Sequence, residues 1–589
     1  MEYWKGGVAK LLSELLETEI DPESIVQPPD PKMGDLAFPC FELSKTRGQA
    51  PNVIASELGE QAKSLSEKWD GYDIGKIEAI GPYINFTLKT GDAVYRIIRD
   101  IQHMRGAYGE VNLGHGKQFT IEYAQPNTHK EIHVGHLRNL ITGSAICRIL
   151  KHANWEVIPM SYHGDVGAHV AKCLWKLSRD SGFGIEMTEA EAESVLSRIP
   201  KEKQNGKFLG EVYTKASQTL EEDENLKEEV SAVQQKLEAR EPAWLKLWQE
   251  TRRWSLQEMS RIFQELGVQI KRQYLESEVV DRGQYIVDEL LSSGVAEESE
   301  GAIIVDLEEK GLGVFLIRKS DGTSLYATKD LALAELKLKE FPDTERSLVI
   351  VDQRQSLYFK QLFETLKRLS ITPVPEFLGH EIVTLKEGAM SSRKGNIITY
   401  QDFHDEVMTY ARGEIIKRHD DWSEGQVTDT AWKIAMAGMK FSMLKIDHDK
   451  VYTFVMEDAL SFDGATGPYC QYAVTRLHSI LRKAADAGVV LKTTEDIQPA
   501  FEHESEKALA LSLAVFPEKV KAASETLRPS LIAHWCIDTS QRMNDLYRDV
   551  PILEADESAR RSKLELIATC MVVMEIALGL LGISVPDKM

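Results

Sequence analysis

The sequence predicts an α/β fold class with a doubly wound parallel sheet, followed by an all-α terminal bundle. Between residues 119 and 160 a strand pattern, a loop, a helix pattern and a second strand pattern follow one another, which is typical of βαβ units. Beyond about residue 455 most segments have one apolar face at helical spacing, which predicts a helical bundle. A chain of 589 residues exceeds a single hydrophobic core, so we expect several domains.

Residues 1–110 are predicted to form the first unit, which is also α/β. Its start has helical spacing, a second helix is predicted near 52–68, and YINFTL at 83–88 has the composition of a strand. Residues 107–117 are rich in glycine and lack periodicity, so we interpret them as a linker.

Residues 117–385 are predicted to form the second unit, which contains the parallel sheet. FTIEYA at 119–124 and WEVIPM at 155–160 are strand patterns, and residues 137–149 have apolar side chains at helical spacing. Residues 180–270 are charged and helix-forming, and we interpret them as a helical insertion with solvated charges. The remaining strand patterns, which would complete the same sheet, are GAIIVDL, VFLIRK, SLVIVD and FLGHEIVTL.

Residues 386–454 are predicted to connect this unit, through a loop and helices, to the bundle of residues 455–589. The most apolar stretch of the bundle runs from Cys570 to Val585. Because it contains Glu575 and is too short to span a bilayer comfortably, we interpret it as a buried helix.

The composition disfavours several classes of protein. A formal net charge of -22 argues against a protein that coats nucleic acid indiscriminately, although a local basic surface remains compatible with it. The 6 cysteines are dispersed and form no cluster with histidines at metal-ligand spacing, so we expect reduced thiols and no structural metal. The first residues lack the apolar core of a signal peptide, so we expect a cytoplasmic protein.

The segment His133-Val134-Gly135-His136 is predicted to lie where a loop that follows a strand enters a helix. Backbone N–H groups and the helix dipole at such a place favour a bound phosphate. Gly135 leaves room for a nucleotide base or ribose, and the histidines can donate hydrogen bonds to phosphoryl oxygens. Taken alone, two histidines near a helix start are more often caps or surface residues.

A second motif lies about 250 residues downstream, after another predicted strand. A small basic loop that is rich in hydroxyl groups is suited to binding the β- and γ-phosphates of ATP. In isolation the favoured interpretation is a polar turn with two solvated cations. The residues of this loop are Met390, Ser391, Ser392, Arg393, Lys394, Gly395 and Asn396.

In this order the two motifs resemble the signature pair of class I aminoacyl-tRNA synthetases, and the surrounding residues narrow the resemblance to the arginyl-tRNA synthetase family. The resemblance covers nearly the whole chain. The segments that carry it are EYAQPNTHKEIHVGHLRN from Glu122, HGDVG from His163, YATKD from Tyr326, RQ from Arg354, GPYCQYA from Gly467 and LGISVPDKM from Leu581.

The resemblance implies an arginine–tRNA ligase with a Rossmann-type catalytic domain, an N-terminal tRNA-binding domain and a C-terminal anticodon-binding domain. Such an enzyme activates L-arginine with ATP and Mg²⁺ and transfers it to the 2′-hydroxyl of the terminal adenosine of the arginine tRNA. The resemblance also implies that activation needs the tRNA. We expect a monomer without a tightly bound, protein-ligated metal.

The family's arginine-binding residues carry over to positions in this chain. Glu122 and Asn127 match residues near the α-amino and carboxylate groups of arginine, while Tyr326, Asp330 and Gln355 match the guanidinium end. A carboxylate can meet the planar guanidinium with two hydrogen bonds, and Tyr and Gln oxygens can accept the remaining donors. The plainer alternative is that Tyr326 and Asp330 are only helical neighbours. A buried Glu122, however, would be costly without a cation.

This chain has Ser392 where the family's usual second motif has a lysine. The family often has a lysine upstream of the first motif instead, and Lys130 is at that position. The resemblance therefore implies His133, His136, Lys130 and Lys394 as catalytic residues, and it leaves open which lysine meets the phosphates.

Four further positions match tRNA contacts of the family. Asn85 and Phe86 correspond to contacts with the D-loop, although a core role for Phe86 is slightly favoured. Tyr547 and Met589 correspond to residues that meet the anticodon loop, where an aromatic ring can stack on an unpaired base.

Two alternatives remain at this point. Another class I synthetase or a small nucleotidyltransferase could carry the first motif, but the chain length, the helical C-terminal unit and the set Tyr326, Asp330 and Gln355 disfavour it. A catalytically silent tRNA-binding relative is disfavoured because a pure binder has no use for two ATP motifs.

Overall fold

The computed structural model describes residues 1–28, 30–64, 66–320, 326–385, 398–489, 491 and 500–589. The N-terminal elements are α1 (Glu2–Leu16), β1 (Leu36–Pro39), α2 (Phe41–Arg47), α3 (Pro51–Lys63), α4 (Ser66–Asp70), β2 (Ile74–Ile80), β3 (Tyr83–Leu88) and α5 (Thr90–Met104). The three strands form an antiparallel sheet in the order β1-β3-β2, which packs against helices. The helix predicted near 52–68 is two helices, because α3 ends at Lys63 and the Ser64 hydroxyl donates to the Gln61 carbonyl there.

The predicted linker has no helix or strand from Tyr108 to Lys117, but it is packed against its neighbours. The Tyr108 ring stacks on Phe516 with the ring centroids 6.4 Å apart, and its hydroxyl donates to the Leu513 carbonyl at 3.0 Å. The linker therefore joins the N-terminal unit to the C-terminal bundle as well as to the central sheet.

A five-stranded parallel sheet forms the centre of the molecule. Its elements are β4 (Gln118–Ala124), α6 (Val134–His152), β5 (Glu156–His163), β6 (Arg272–Leu275), α12 (Glu276–Ser292), α13 (Tyr326–Glu340), β10 (Thr344–Asp352), α14 (Ser356–Arg368) and β11 (Glu376–His380). The strand order is β11-β10-β4-β5-β6. The doubly wound prediction is confirmed, because helices cover both faces and the strand order reverses at β4.

Strand β4 is buried on both faces. Its residues Phe119, Ile121 and Tyr123 pack with α6 in one hydrophobic cluster, while Glu122 is on the face that α13 covers. The carboxyl ends of β4 and β10 are next to each other at the reversal of strand order, where ligands bind in open parallel sheets.

Five helices lie between β5 and β6, in the part of the chain where the sequence predicts a helical insertion. They are α7 (Ala168–Asp180), α8 (Glu189–Arg198), α9 (Gly206–Glu222), α10 (Lys227–Glu238) and α11 (Pro242–Glu265). These helices have their own core, which includes Cys173, Leu209, Trp244 and Trp254. We call them the helical insertion.

Two of the strands predicted for the central sheet lie elsewhere. GAIIVDL contains β8 (Ala302–Asp306), and VFLIRK contains β9 (Val314–Arg318). Together with β7 (Glu297–Ser299) they form a separate antiparallel sheet in the order β7-β8-β9. The connection between β8 and β9 is too short for the crossover that parallel pairing requires. SLVIVD and FLGH do join the central sheet, as β10 and β11. The last part of FLGHEIVTL is β12 (Val383–Leu385), which pairs with β13 (Tyr452–Phe454).

The predicted C-terminal bundle is confirmed. The remaining helices are α15 (Tyr400–Arg418), α16 (Glu424–Leu444), α17 (Met456–Ala459), α18 (Gly467–Asp486), α19 (Glu504–Thr526), α20 (Ser530–Asp549) and α21 (Glu557–Leu580). Cys570 lies within α21 and is fully buried, as interpreted from the sequence. No helix in the described ranges is long and apolar enough to cross a membrane.

Candidate active site

A cavity of about 350 Å³ lies between one face of the parallel sheet and helices α13 and α14. All five predicted arginine-binding residues line it, although they come from separate segments of the chain. They are Glu122, Asn127, Tyr326, Asp330 and Gln355.

Helix α13 gives the cavity one wall. Tyr326 and Asp330 are one turn apart on it, so both side chains face the cavity, with Tyr326 at the mouth and 64% exposed. Leu333 and Ala334 continue the same wall and are apolar. The cavity therefore combines acidic groups with an aliphatic surface.

Among the described residues, three carboxyl groups line the cavity, and two of them have cationic partners. The Lys337 ammonium donates to Glu122, and the Lys329 ammonium donates to Glu276. Asp330 accepts a hydrogen bond from the Tyr358 hydroxyl, and no lysine or arginine described in the structure forms an ion pair with it. One carboxyl group is thus left for a cationic ligand.

The acidic groups of the cavity affect one another. Burial is the largest cause that raises the pKa of Asp330, the Tyr358 hydroxyl opposes it, and the nearby Glu122 and Glu276 add to the rise. The resulting pKa is about 7. Burial also raises the pKa of Glu276, against the opposing effect of Lys329. An arriving cation would favour the ionised form of Asp330.

Asn127 is held beside the loop that follows β5. The Thr128 N–H donates to the Gly164 carbonyl at 2.9 Å, and His163 Nδ1 is 2.8 Å from the Pro126 carbonyl oxygen. A Cβ atom on Gly164 would lie 2.5 Å from Asn127 Oδ1. Any side chain at position 164 would therefore displace the Asn127 amide from the cavity wall.

The first motif lies where the sequence predicts it. Helix α6 begins at Val134, and the His133 N–H donates to His136 Nδ1 at 3.2 Å, which leaves the His136 proton on Nε2. The two rings stack with centroids 3.8 Å apart. Burial lowers the pKa of both histidines, that of His136 to about 3, and neighbouring Lys130 adds to the effect. Both rings are neutral near pH 7. Gly135 sits beside them and is exposed.

The second motif, with Met390, Ser391, Ser392, Arg393 and Lys394, lies outside the described residues. The chain that follows it returns to the first motif. Val134 donates its N–H to the Ile398 carbonyl at 3.1 Å, and Tyr400 donates to Ile132 at 2.7 Å.

Lys130 is half-buried beside the first motif. Its ammonium nitrogen lies 5.0 Å from the centroid of the Tyr213 ring, on α9 of the helical insertion. Its charge lowers the pKa of His133 and of His136.

The polar residues of the cavity wall that were not predicted from the sequence include Glu276, Tyr358, Gln125 and Tyr162. Glu276 directly follows β6, so its place at the carboxyl end of a parallel strand was a usable signal. Gln125 donates to Glu122 at 2.9 Å, but nothing local in the sequence indicates that contact.

Two of the predicted tRNA contacts are buried in the structure. Phe86 is 0% exposed and packs against Trp69 with the ring centroids 5.4 Å apart, and Asn85 is 3% exposed. Both residues lie on β3, the middle strand of the N-terminal sheet, and a core role for Phe86 agrees with its burial, while the predicted contact of this strand with the D-loop stays a prediction.

The other two positions are compatible with contact. Tyr547 is 47% exposed, and the Arg476 guanidinium lies 3.8 Å from its ring centroid. Met589 is partly buried against the core. Arg482 on α18 donates to the Asp587 carbonyl at 3.3 Å, which holds the last residues beside the bundle.

Three family models match the chain. They are the class I (R) tRNA synthetase catalytic domain at residues 98–456, the arginyl tRNA synthetase N terminal domain at 2–88 and the DALR anticodon binding domain at 470–589. The chain is 36% identical to an arginine–tRNA ligase of Bdellovibrio bacteriovorus, over 96% of this chain and 94% of the relative. The chain belongs to the arginyl-tRNA synthetase family.

Other arginyl-tRNA synthetases agree with this assignment. The arginine–tRNA ligase of Lactococcus lactis subsp. lactis is 32% identical over 99% of this chain and 100% of the relative. The solved arginyl-tRNA synthetase of Thermus thermophilus has a TM-score of 0.77 at 26% identity and covers 99% of both chains. The Plasmodium falciparum arginyl-tRNA synthetase, at 16% identity and a TM-score of 0.74, shares the fold.

Helix α6, which begins at the two histidines, approaches β4 closely at Gly143. A Cβ atom there would lie 2.3 Å from the buried Tyr123 ring. We predict that Gly143→Ala destabilises the protein by about 1 to 3 kcal/mol, because the helix and the strand would have to move apart. Thermal unfolding measures the effect.

Gly413→Ala is the matched control for this prediction. Gly413 is also inside a helix, but nothing lies within 4 Å of the added atom. Alanine should stabilise that helix slightly, since glycine is the poorer helix former. Equal unfolding midpoints for the two variants would contradict the close approach of α6 to β4.

Proposed function

We propose that this chain is an arginine–tRNA ligase, which forms arginyl-adenylate from L-arginine and ATP and then transfers the arginyl group to the 2′-hydroxyl of the terminal adenosine of the arginine tRNA. The observation that carries the proposal is the cavity, in which the Asp330 carboxyl group lies next to an aliphatic wall without an ion-pair partner among the described residues. This combination suits a guanidinium on an aliphatic stem.

In the proposed complex the guanidinium meets Asp330, and Tyr326 and Gln355 complete its hydrogen bonds. The α-ammonium group meets Glu122 beside Asn127. Because Lys337 donates to Glu122 in the structure, the ligand either shares that carboxylate or displaces the lysine.

The first step needs stabilisation of charge more than proton transfer. The arginine carboxylate attacks the α-phosphorus of ATP, a P–O bond forms, and the bond to pyrophosphate breaks. His133 and His136 are neutral and can each donate one N–H to phosphoryl oxygens, while the Lys130 ammonium supplies positive charge. Lys394 and its loop are the other proposed phosphate ligands, and magnesium enters with ATP.

In the second step the 2′-hydroxyl of the tRNA attacks the arginyl carbonyl and AMP leaves. We propose that residues 1–110 bind tRNA and that residues 117–385 catalyse the reaction. Residues 386–454 connect this unit to residues 455–589, which are proposed to bind the anticodon. The enzyme is proposed to act in the cytoplasm as a monomer, with tRNA needed for activation.

The deciding experiment is ATP–pyrophosphate exchange with each of the twenty amino acids, with and without tRNA. We expect that arginine is the one amino acid of the twenty that supports exchange, and that it does so only when tRNA is present. Exchange with a different amino acid would replace the proposed substrate, and no exchange despite tRNA binding would indicate a silent relative.

We predict that arginine affinity falls below about pH 7, because the ligand requires ionised Asp330 and burial raises the pKa of that group to about 7. The apparent Kd should rise toward about tenfold per pH unit below this value and stay level above it. Calorimetric titration between about pH 5.5 and 8.5 measures the profile.

Asp330→Asn is the matched variant for this profile. Loss of a hydrogen bond to a charged group costs about 1.5 to 3 kcal/mol, so the arginine KM should rise at least about tenfold while the ATP KM changes little. The variant should also lose the pH dependence. An unchanged arginine KM would remove Asp330 from the site.

We predict that Lys130→Ala lowers kcat for arginine activation by about a hundred- to a thousandfold, because the ammonium meets charge that develops in the transition state. Arginine binding, measured by direct titration, should be nearly unchanged. Lys172→Ala is the matched control and should retain most of the rate, although its ammonium lies 5.1 Å from the same Tyr213 ring. If Lys130→Ala activates arginine normally, Lys130 is not the phosphate-binding cation, and Lys394 becomes the favoured residue for that role.

We predict that Tyr547→Ala raises the tRNA KM through loss of about 1 to 3 kcal/mol of base stacking, without changing the arginine KM. Tyr547→Phe keeps the ring and should behave like the parent chain. The same loss with a tRNA of altered anticodon would contradict an anticodon role.

A further inference from the structure

We propose that the helical insertion positions Lys130 for catalysis, by holding the backbone of its loop through α11 and its ammonium through Tyr213 on α9. The inference rests on the proposed function, because it gives the insertion a role in the activation step. Each of the two contacts is separate in the chain and can be tested alone.

The first contact joins α11 to His129, the residue before Lys130. The His129 N–H donates to Ser255 Oγ at 3.0 Å, and His129 Nε2 lies 2.8 Å from Thr251 Oγ1. Thr251 and Ser255 are one turn apart on α11 and are almost completely buried. One helix face therefore binds both the backbone and the ring of His129.

The His129 ring has no charge to contribute. Burial lowers its pKa to about 3, so it is neutral. Hydroxyl groups contact both ring nitrogens, since Thr251 Oγ1 lies 2.8 Å from Nε2 and Thr128 Oγ1 lies 2.9 Å from Nδ1. With φ at 59°, His129 is in the left-handed region, so these hydrogen bonds hold a backbone conformation that the loop would not favour alone.

The same helix holds the loop after β5. Trp248 Nε1 donates to the Asp165 carbonyl at 2.6 Å, and the Arg252 guanidinium donates to the Asp165 carboxylate at 2.9 Å. The Thr128 N–H donates a hydrogen bond to the Gly164 carbonyl in that loop, so α11 fixes the loop after β4 and the loop after β5 relative to each other.

The second contact places the ammonium. Lys130 Nζ lies 5.0 Å from the Tyr213 ring centroid, within the range of a cation–π interaction. This contact restricts a long flexible side chain beside His133 and His136, where its charge acts on both rings. A restricted ammonium loses less entropy when it meets the developing charge.

The ring is tested with Tyr213→Leu and Tyr213→Phe, assayed by arginine-dependent pyrophosphate exchange with tRNA present. We expect Tyr213→Leu to lower kcat about three- to tenfold with a nearly unchanged arginine KM, and Tyr213→Phe to be near normal. In a Lys130→Ala background, Tyr213→Leu should cause no further loss. An additional loss of the same size in that background would overturn the role of the ring.

The contact between α11 and the His129 ring is tested with Thr251→Val, which replaces the hydroxyl by a methyl group. We expect a fall in kcat of about tenfold, with recovery in Thr251→Ser. Ser260→Ala removes a hydroxyl from the exposed side of α11, where it donates to the Leu256 carbonyl, and should leave kcat unchanged. Unfolding midpoints of all variants separate lost stability from lost positioning.

The outcomes separate the two proposals. No arginine-dependent exchange by the parent chain contradicts the proposed function. Exchange that needs Lys130 but is unchanged in Tyr213→Leu and Thr251→Val contradicts only the positioning role. A fall in unfolding midpoint with unchanged kcat assigns these residues to stability and also overturns it.

Discussion

Glu122 lies in the middle of a parallel sheet that is covered on both faces, where an unpaired carboxylate would be strongly destabilising. The surrounding structure supplies Lys337 and Gln125 to it. Asp330 and Glu276 add two more carboxyl groups to the same cavity, so its acidity exceeds what the neighbouring lysines neutralise. The proposed recognition of a cationic side chain rests on this imbalance.

Local patterns predicted much of the fold and part of the site. The spacing of Tyr326 and Asp330 predicted one helix face, and the motif around His133 predicted a helix start, because both depend on neighbours in sequence. The sequence pattern of VFLIRK predicted a strand, but it could not predict which strand pairs with it, because a strand pattern does not identify its partner. Tyr358 and Tyr213 reach the site only through tertiary packing, which no local pattern indicates.

The helical insertion could be recognised from its charge, but its use could not. Its charged faces are solvated, whereas the contacts to the Lys130 loop are made by Thr251 and Ser255, which are buried. A buried hydroxyl on a helix face has no sequence signature of a role. The proposed role of Thr251 arises from its contact with His129, which lies 122 residues upstream.

The Lys337–Glu122 pair also bears on how the protein responds to ionic strength. Both groups are shielded from water, so dissolved ions screen them little, whereas contacts between an exposed surface and RNA phosphates weaken steeply with added salt. Raising the salt concentration would therefore weaken the proposed tRNA binding while leaving the proposed arginine-binding cavity largely intact. Amino acid recognition and RNA recognition are in this way separable by solvent conditions alone.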